Sequence, residues 1–314
     1  MKIVFFGTPD YVLPVLEQVH KKIKGKIGSP VVAVVTQSPK PAGREKKITF
    51  SPVDAWAHKR KIPICYKSSD LIKDGPEADL GVLAAYGEII PVGVINNFKY
   101  GILNLHPSLL PQFRGASPVQ GAIASGATQT GVTVVKLDQK LDHGPILSQF
   151  KEQLLPEDTT DTLRERLFSR GADVLVELLE PYIKGKIIPR TQDDDKATHT
   201  TLVKKAHGFI PPKYLSSALE GKPVEEDWQI SFIKDFSLFP SPESIHNFIR
   251  SMTSWPGAWA YIRLSRNESK RLKILKAHLE DEMLVLDEVQ LEGKNPVSWA
   301  EFKAGYPNAA FAEE

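Results

Sequence analysis

The first 100 residues alternate short apolar runs with segments whose apolar residues recur at helical spacing. This alternation is typical of a sheet in which each parallel strand is joined to the next by a helix packed on the sheet. Unbroken apolar runs suit strands that are covered on both faces. We therefore predict a mostly parallel, Rossmann-like α/β sheet whose ligands bind beyond the carboxyl ends of its strands. The predicted strands span residues 3–6, 31–35, 80–84 and 102–105.

Two amphipathic helices stand out from the same pattern. The first follows the first strand, and Thr8 or Asp10 can cap its N-terminus. Its apolar face consists of Val12, Leu13, Val15, Leu16 and Val19. The second is capped by Asp158, Thr159 or Thr160. Its apolar face consists of Leu163, Leu167, Val174, Leu178, Leu179 and Ile183.

The pattern changes after residue 129. Residues 130–137 and 146–150 are strand-like and are joined by a short polar turn, so they can pair antiparallel. Residues 192–196 form an acidic stretch without periodic hydrophobicity, which is typical of a linker between domains. We place the linker at about 190–206.

The part beyond the linker is predicted to be a smaller domain. Three strands at short spacing, residues 259–264, 271–279 and 283–291, predict a β-rich, open barrel-like (OB-like) module. We therefore assign residues 1–200 to one domain and residues 201–314 to a second, with an insertion at 211–240.

Length and composition agree with two folded domains. The chain has 314 residues, of which 41% are hydrophobic and 25% charged, and its net charge of +2 excludes nucleic-acid binding driven by bulk charge. Any basic contact must be local. One dense patch is either a solvated hairpin face or a contact for a phosphate backbone. It contains Arg263, Arg266, Lys270, Arg271, Lys273 and Lys276.

The single cysteine, Cys65, cannot form an internal disulfide. The apolar run at residues 3–6 is too short for a signal peptide, and no stretch reaches the 18 apolar residues that a membrane span needs. We therefore expect a cytoplasmic protein without a membrane partner.

Several common routes to catalysis are missing from the sequence. The segment Gly7-Thr8-Pro9-Asp10 follows the first strand but lacks the G-x-G-x-x-G spacing of dinucleotide sites. There is also no P-loop, no G-x-S-x-G and no H-E-x-x-H motif. These absences disfavour nicotinamide chemistry, phosphoryl transfer, serine hydrolysis and zinc proteolysis.

Asn104 and His106 end a predicted strand, and residues two apart in a strand face the same side. Pro107 then forces the chain out of the sheet. An amide beside an imidazole suits stabilisation of an oxyanion together with proton transfer. The alternative is a strand end with two satisfied polar groups.

Asp142 lies in the turn between the two late strands. It is either a turn residue that bonds its own backbone or the partner that orients His106 and favours its charged form. His106, Asp142 and His143 also have the chemistry of metal ligands, although no regular ligand spacing supports that interpretation.

The string Asn-Leu-His-Pro-Ser-Leu-Leu-Pro at 104–111, then Phe-Arg-Gly-Ala-Ser-Pro at 113–118 and Leu-Asp-x-Gly at 141–144, resembles the signature of the folate-dependent formyltransferases. The resemblance implies that Asn104, His106 and Asp142 are catalytic and that no metal is used. It departs from the signature at Gln112, where a basic residue is common, and at His143, where Thr is usual. The folate-binding residues implied by the resemblance are Ser108, Leu109, Leu110, Pro111, Ala85, Tyr86, Gly87 and Ile89.

Three further segments, residues 6–10, 36–48 and 249–259, resemble those members of the family that formylate the methionine carried by initiator tRNA. The resemblance implies that 36–48 is a basic loop that approaches the tRNA acceptor end, and that the second domain binds tRNA. The implied tRNA contacts are Lys40, Arg44, Lys46, Lys47, Arg114, Arg263 and Arg271.

The activity implied by the resemblance is transfer of the formyl group of 10-formyltetrahydrofolate to the α-amine of initiator methionyl-tRNA. We expect a monomer. Three alternatives remain: a formyltransferase that uses the same three residues on an amino sugar nucleotide, a hydrolase of 10-formyltetrahydrofolate, whose known kind resembles this catalytic core, and a non-catalytic tRNA-binding relative.

Overall fold

The computed structural model describes residues 1–23, 29–42, 45, 47–73, 75–222, 224–265 and 268–312. The chain forms two compact units. Unit 1 comprises Met1–Arg114, Thr130–Glu152 and Arg164–Ala197. Unit 2 comprises Gly115–Gln129, Gln153–Leu163 and Thr198–Glu314. Two segments that precede residue 200, 115–129 and 153–163, therefore group with unit 2.

Eighteen strands and nine helices are present in the described part of the chain. The strands are β1 (Ile3–Gly7), β2 (Val31–Val35), β3 (Lys40–Ala42), β4 (Lys47–Thr49), β5 (Ile64–Cys65), β6 (Leu80–Ala84), β7 (Ile102–His106), β8 (Arg114–Gly115), β9 (Gln129–Lys136), β10 (Ile146–Gln153), β11 (His199–Thr200), β12 (Trp228–Gln229), β13 (Ser237–Leu238), β14 (Ala258–Ser265), β15 (Glu268–Glu280), β16 (Met283–Leu291), β17 (Val297–Ser298) and β18 (Ala310–Phe311). The helices are α1 (Leu13–Lys22), α2 (Pro52–Lys59), α3 (Asp70–Lys73), α4 (Val92–Ile95), α5 (Pro118–Ala124), α6 (Thr160–Ile183), α7 (Pro212–Leu219), α8 (Pro242–Ser251) and α9 (Trp299–Gly305).

Unit 1 is built on a seven-stranded sheet of order β10-β9-β7-β6-β1-β2-β5. The strands β5, β2, β1, β6 and β7 are parallel, and β9 is antiparallel to β7. Hydrogen bonds from Lys136 N to Pro145 O and from Leu154 N to Thr128 O join the two late strands in opposite directions. The prediction of a mostly parallel, Rossmann-like sheet is confirmed.

The predicted cap of the first helix is wrong. A 3-10 turn at Asp10–Val12 precedes α1, and neither candidate caps the helix. The Thr8 hydroxyl instead donates to Tyr86 O at 3.1 Å, and the Asp10 carboxylate accepts from its neighbour Tyr11 N at 2.9 Å. The second cap is confirmed, because the Thr159 hydroxyl accepts from Thr162 N at the start of α6.

Unit 2 contains a five-stranded sheet of order β17-β16-β15-β14-β18, in which every described pair is antiparallel. The two edge strands, β17 and β18, are not neighbours, so the sheet is open. Residues from the predicted insertion at 211–240 lie in the core of this unit: Tyr214, Leu215, Trp228 and Phe232 are buried. The Trp228 ring packs on Phe248 of α8 with centroids 4.5 Å apart.

No helix in the described ranges is both long enough and apolar enough to cross a membrane.

Gly131 of β9 marks a close approach of two strands in unit 1. A Cβ at this position would lie 2.0 Å from Phe150 O, which is backbone and cannot rotate away. We predict that Gly131→Ala lowers the stability of unit 1 by about 1–3 kcal/mol through overpacking. The measurement is urea unfolding followed by circular dichroism.

The matched control is Gly93→Ala in α4 of the same unit, where a Cβ would meet only Ile72 Cδ1 at 3.7 Å, an ordinary contact. Alanine is also the better helix former, so this variant should be neutral or slightly stabilising. Equal unfolding midpoints for the two variants would contradict the proposed steric cause.

Candidate active site

The end of β7 carries two buried polar side chains. Asn104 and His106 are only 6% and 5% exposed. The strand alternation points both to one side, and the chain leaves the sheet at Pro107, as predicted. Two buried polar groups require partners, since an unsatisfied buried polar group is costly.

Asp142 supplies the shared partner. The Asn104 Nδ2 atom donates to Asp142 Oδ1 at 3.2 Å, and His106 Nδ1 lies 3.6 Å from the same oxygen. Asp142 is 8% exposed and its backbone is left-handed, with φ of 49°. An Asp residue tolerates this conformation better than most residues. The three side chains that the sequence selected therefore meet at one carboxylate oxygen.

The second nitrogen of His106 fixes the proton position of the ring. His106 Nε2 lies 3.1 Å from Phe113 O, and a carbonyl oxygen can only accept. We therefore assign the proton of the neutral ring to Nε2, which leaves the lone pair of Nδ1 beside the Asp142 carboxylate.

Backbone atoms around Asp142 are held by Gln192. The Gln192 Nε2 atom donates to Asp142 O and to Gly144 O, each at 2.8 Å. Its Oε1 atom accepts from Arg114 Nε and Nη2, at 3.1 and 2.8 Å. Arg114 is 5% exposed and also donates to Asp194 Oδ1 at 2.7 Å. This hydrogen bond holds the pKa of the Asp194 carboxyl below its ordinary value.

His143, the departure from the family signature, bridges two carboxylates. Its Nδ1 atom lies 2.6 Å from Asp138 Oδ2, and its Nε2 atom lies 3.2 Å from Asp194 Oδ2. The described residues contain no group of three or more His, Cys, Asp or Glu side chains arranged to hold a metal ion.

The segment Ser108–Pro111 is fastened by Thr133 of β9, which is fully buried. The Thr133 hydroxyl donates to Ser108 O at 2.7 Å and accepts from Leu110 N at 3.1 Å. Gln149 of β10 adds two bonds from its Nε2 atom, to Leu110 O at 2.9 Å and to the Thr133 hydroxyl at 2.8 Å. The side chains of Thr133 and Gln149 therefore fix the conformation of this segment by bonding to its backbone atoms.

The segment Ala85–Ile89 follows β6, the parallel neighbour of β7. Ala85 and Gly87 have positive φ, 45° and 85°, so the chain turns sharply here. Tyr86 is buried against Phe6, and this burial, followed by the Glu88 charge, raises the pKa of its hydroxyl. Ile89 is 90% exposed. The Tyr86 ring is thus a core group, and the rest of the segment is accessible.

The implied tRNA contacts are spread over both units. In unit 1, Lys40 and Lys47 are exposed on β3 and β4, whereas Arg44 and Lys46 lie outside the described residues. In unit 2, Arg263 and Arg271 are exposed on β14 and β15. Arg114 differs from all of these because it is buried. Its guanidinium is engaged by Gln192 and Asp194, and tRNA contact by Arg114 stays a prediction.

Five residues of the site have no counterpart in the sequence prediction: Thr133, Gln149, Gln192, Asp138 and Asp194. The first two lie inside strands whose pattern indicates only pairing. Gln192 lies in the stretch that the sequence indicates to be a linker. Gln192 directly precedes three aspartates, but an acidic run by itself does not distinguish a docked segment from a solvated one.

Comparison with known proteins extends this picture. Residues 1–179 match the formyl transferase family, and residues 239–283 match the formyl transferase C-terminal domain. The methionyl-tRNA formyltransferase of Geotalea uraniireducens is 30% identical over 98% of this chain and 95% of its own length.

Solved structures show the same fold at low identity. A methionyl-tRNA formyltransferase from Clostridium thermocellum is 18% identical, with a TM-score of 0.55 over 93% of this chain and 98% of that one. An N-formyltransferase from Helicobacter canadensis, solved with folinic acid and dTDP-3-aminofucose, is 15% identical, with a TM-score of 0.59 over 95% of this chain and 98% of that one.

Three findings agree with the resemblance of the motifs around Asn104, His106 and Asp142. They are the match to the family, the sequence identity to a relative over nearly the whole chain, and the shared fold. The chain belongs to the formyl transferase family.

Proposed function

We propose that this enzyme transfers the formyl group of 10-formyltetrahydrofolate to the α-amine of methionyl-initiator-tRNA. The observation that carries the proposal is the meeting of Asn104 and His106 at the buried carboxylate of Asp142. The choice of acceptor is supported by the relatives named methionyl-tRNA formyltransferase, which match over nearly the whole chain.

In the proposed reaction the amine nitrogen attacks the formyl carbon, and the carbonyl π electrons move onto oxygen. An amide has two N–H bonds, and Asn104 uses one for Asp142, so the other is available to the oxyanion. His106 Nδ1 takes the proton that the amine loses, with Asp142 beside it to stabilise the imidazolium. Collapse expels N10 of tetrahydrofolate, which receives this proton.

The proposed folate site consists of Ser108–Pro111 and Ala85–Ile89, which follow two adjacent parallel strands. Side chains hold the backbone of both segments, Thr133 and Gln149 at Ser108–Pro111, and Thr8 and Gln37 at Tyr86 O, so the two segments are preorganised. Because the Tyr86 ring is buried, its segment would contact folate through backbone atoms and neighbouring side chains. We propose no metal in this reaction, since the amide and imidazole supply the required chemistry.

The proposed tRNA surface of unit 2 combines cations with aromatic rings. Trp259, Tyr261 and Arg263 alternate with buried residues along β14 and therefore share one face. Phe209 packs on Trp259 with centroids 4.8 Å apart, and the Arg271 guanidinium lies 5.6 Å from the Trp259 centroid. Such a face suits contact with phosphates beside unstacked bases. In unit 1 the proposed contacts are Lys40, Arg44, Lys46 and Lys47 of the basic loop.

The test of the proposed function is a comparison of acceptors. Purified enzyme and 10-formyltetrahydrofolate are incubated with initiator methionyl-tRNA, uncharged tRNA, an amino sugar nucleotide or buffer alone. Formyl product with only the charged tRNA is expected. Sugar formylation would replace the proposed acceptor, and folate turnover in buffer alone would make the protein a hydrolase.

Asn104→Ala and Asp142→Ala are each predicted to lower kcat by about a hundredfold or more, because each removes a group that acts on the developing charge. The KM for the formyl donor should change little, since the folate segments are anchored elsewhere. Steady-state kinetics with varied donor measures both constants. A rise in KM that matches the loss in kcat would contradict these roles.

The double variant Arg263→Gln/Arg271→Gln is predicted to raise the KM for charged tRNA. The slope of log KM against log salt concentration should fall by about 1 for each phosphate contact that is lost. Lys222→Gln, an exposed lysine elsewhere in unit 2 that pairs with Glu220, is the matched control. Identical salt slopes for all three proteins would show that the β14–β15 face does not bind RNA.

A further inference from the structure

Residues 190–194, here called the strap, run alongside the loop that carries Asp142. The sequence indicates a linker at this point, yet Arg190 and Ile146 exchange backbone hydrogen bonds of 2.8 Å in both directions. This reciprocal pair is the pattern of an antiparallel bridge. The strap is therefore docked on the start of β10 within unit 1, beside the loop that carries Asp142.

Gln192 uses its whole amide in this docking. Both N–H groups are spent on Asp142 O and Gly144 O, and the carbonyl oxygen accepts twice from Arg114. The arginine can only donate, so it fixes which end of the amide faces the loop. A reversed amide would bring its NH₂ group against the guanidinium and its oxygen against two carbonyls.

Two further contacts hold the same segment. Asp194 pairs with Arg114 on one side and with His143 on the other, at 2.7 and 3.2 Å. His143 is the residue directly after Asp142. The strap thus contacts the loop at two points, because Gln192 bonds to the carbonyl of Asp142 and Asp194 pairs with the side chain of His143.

We propose that Gln192 is a positioning residue, which Arg114 orients, and that it holds the left-handed backbone of Asp142 so that the carboxylate reaches Asn104 and His106. The proposal rests on the proposed function for its kinetic readout. A buried carboxylate that must face two partners at 3.2 and 3.6 Å depends on the path of its own backbone. Displacements of about 1 Å cost up to a hundredfold in rate.

The position of Asp142 and the conformation of Ser108–Pro111 can be tested separately, because Gln149 holds the second segment. The Gln149 Nε2 atom donates to Leu110 O at 2.9 Å, in the segment that follows His106, and its Oε1 atom accepts a long hydrogen bond of 3.4 Å from Arg190 at the start of the strap. Loss of Gln192 should therefore lower kcat, whereas loss of Gln149 should raise the KM for the formyl donor. This contrast distinguishes positioning of Asp142 from a general loosening of unit 1.

The experiment compares Gln192→Met, which keeps the length of the side chain but not its hydrogen bonds, with Gln149→Met. We expect Gln192→Met to lower kcat roughly tenfold to a hundredfold, with the donor KM within about twofold of the unchanged protein. Asp195→Asn, an exposed carboxylate just beyond the strap, is the control and should retain full activity. An unchanged kcat, or equal effects of the two methionine variants on KM, would overturn the proposal.

A second readout does not depend on the proposed acceptor. Hydrogen exchange of the peptide that covers residues 137–146 should be faster in Gln192→Met, since the loop loses two hydrogen bonds. Unchanged exchange there would reject the strap as the holder of the loop even if the enzyme formylated another acceptor. If Gln192→Met fails to fold, Asp194→Asn, which alters an exposed end of the strap, takes its place and is expected to shift both readouts in the same direction.

Discussion

The candidate active site depends on one buried carboxylate. Burial of Asp142 removes its charge from water, an arrangement that is tolerated only when hydrogen-bond donors surround it. Asn104 donates to it directly and His106 faces it at 3.6 Å, so the two side chains that neighbour the carboxylate are the side chains that would act on a formyl group. Stability of the loop and the geometry of catalysis are therefore the same physical requirement.

The parallel sheet supplies the frame for this requirement. Asn104 and His106 lie two residues apart in β7 and therefore face the same side. The Ala85–Ile89 segment follows the neighbouring parallel strand β6 and lies at the same edge of the sheet. Thr133 of the antiparallel strand β9 then fixes the chain after β7, because its hydroxyl donates to Ser108 O and accepts from Leu110 N, and Gln149 Nε2 donates to the same hydroxyl. Rigid strands thus position groups that a free loop would leave mobile.

Unit 2 follows a different principle. Its antiparallel sheet buries one face against α7 and α8 and leaves cations and half-buried aromatic rings on the other face of β14 and β15. The charge of this face is local, as the near-neutral composition of the whole chain requires. Two of the predicted strands there extend by a few residues in the structure, and the third has the predicted bounds. The alternation of buried Ala258, Ala260 and Ile262 with less buried residues specifies the register of β14 strongly.

The sequence by itself predicted the longer strands and the parallel sheet, because hydrophobic period is a property of contiguous residues. Its local motifs selected Asn104, His106 and Asp142, whose catalytic roles stay a prediction. It misplaced the cap of α1, since Thr8 finds a partner 78 residues away in Tyr86 O. Only the tertiary structure decided that Arg114 is buried and that Gln192 is docked rather than part of a linker. Gln192 reaches Asp142 across 50 residues of sequence, and no local pattern records a hydrogen bond that exists only once the sheet has brought both segments together.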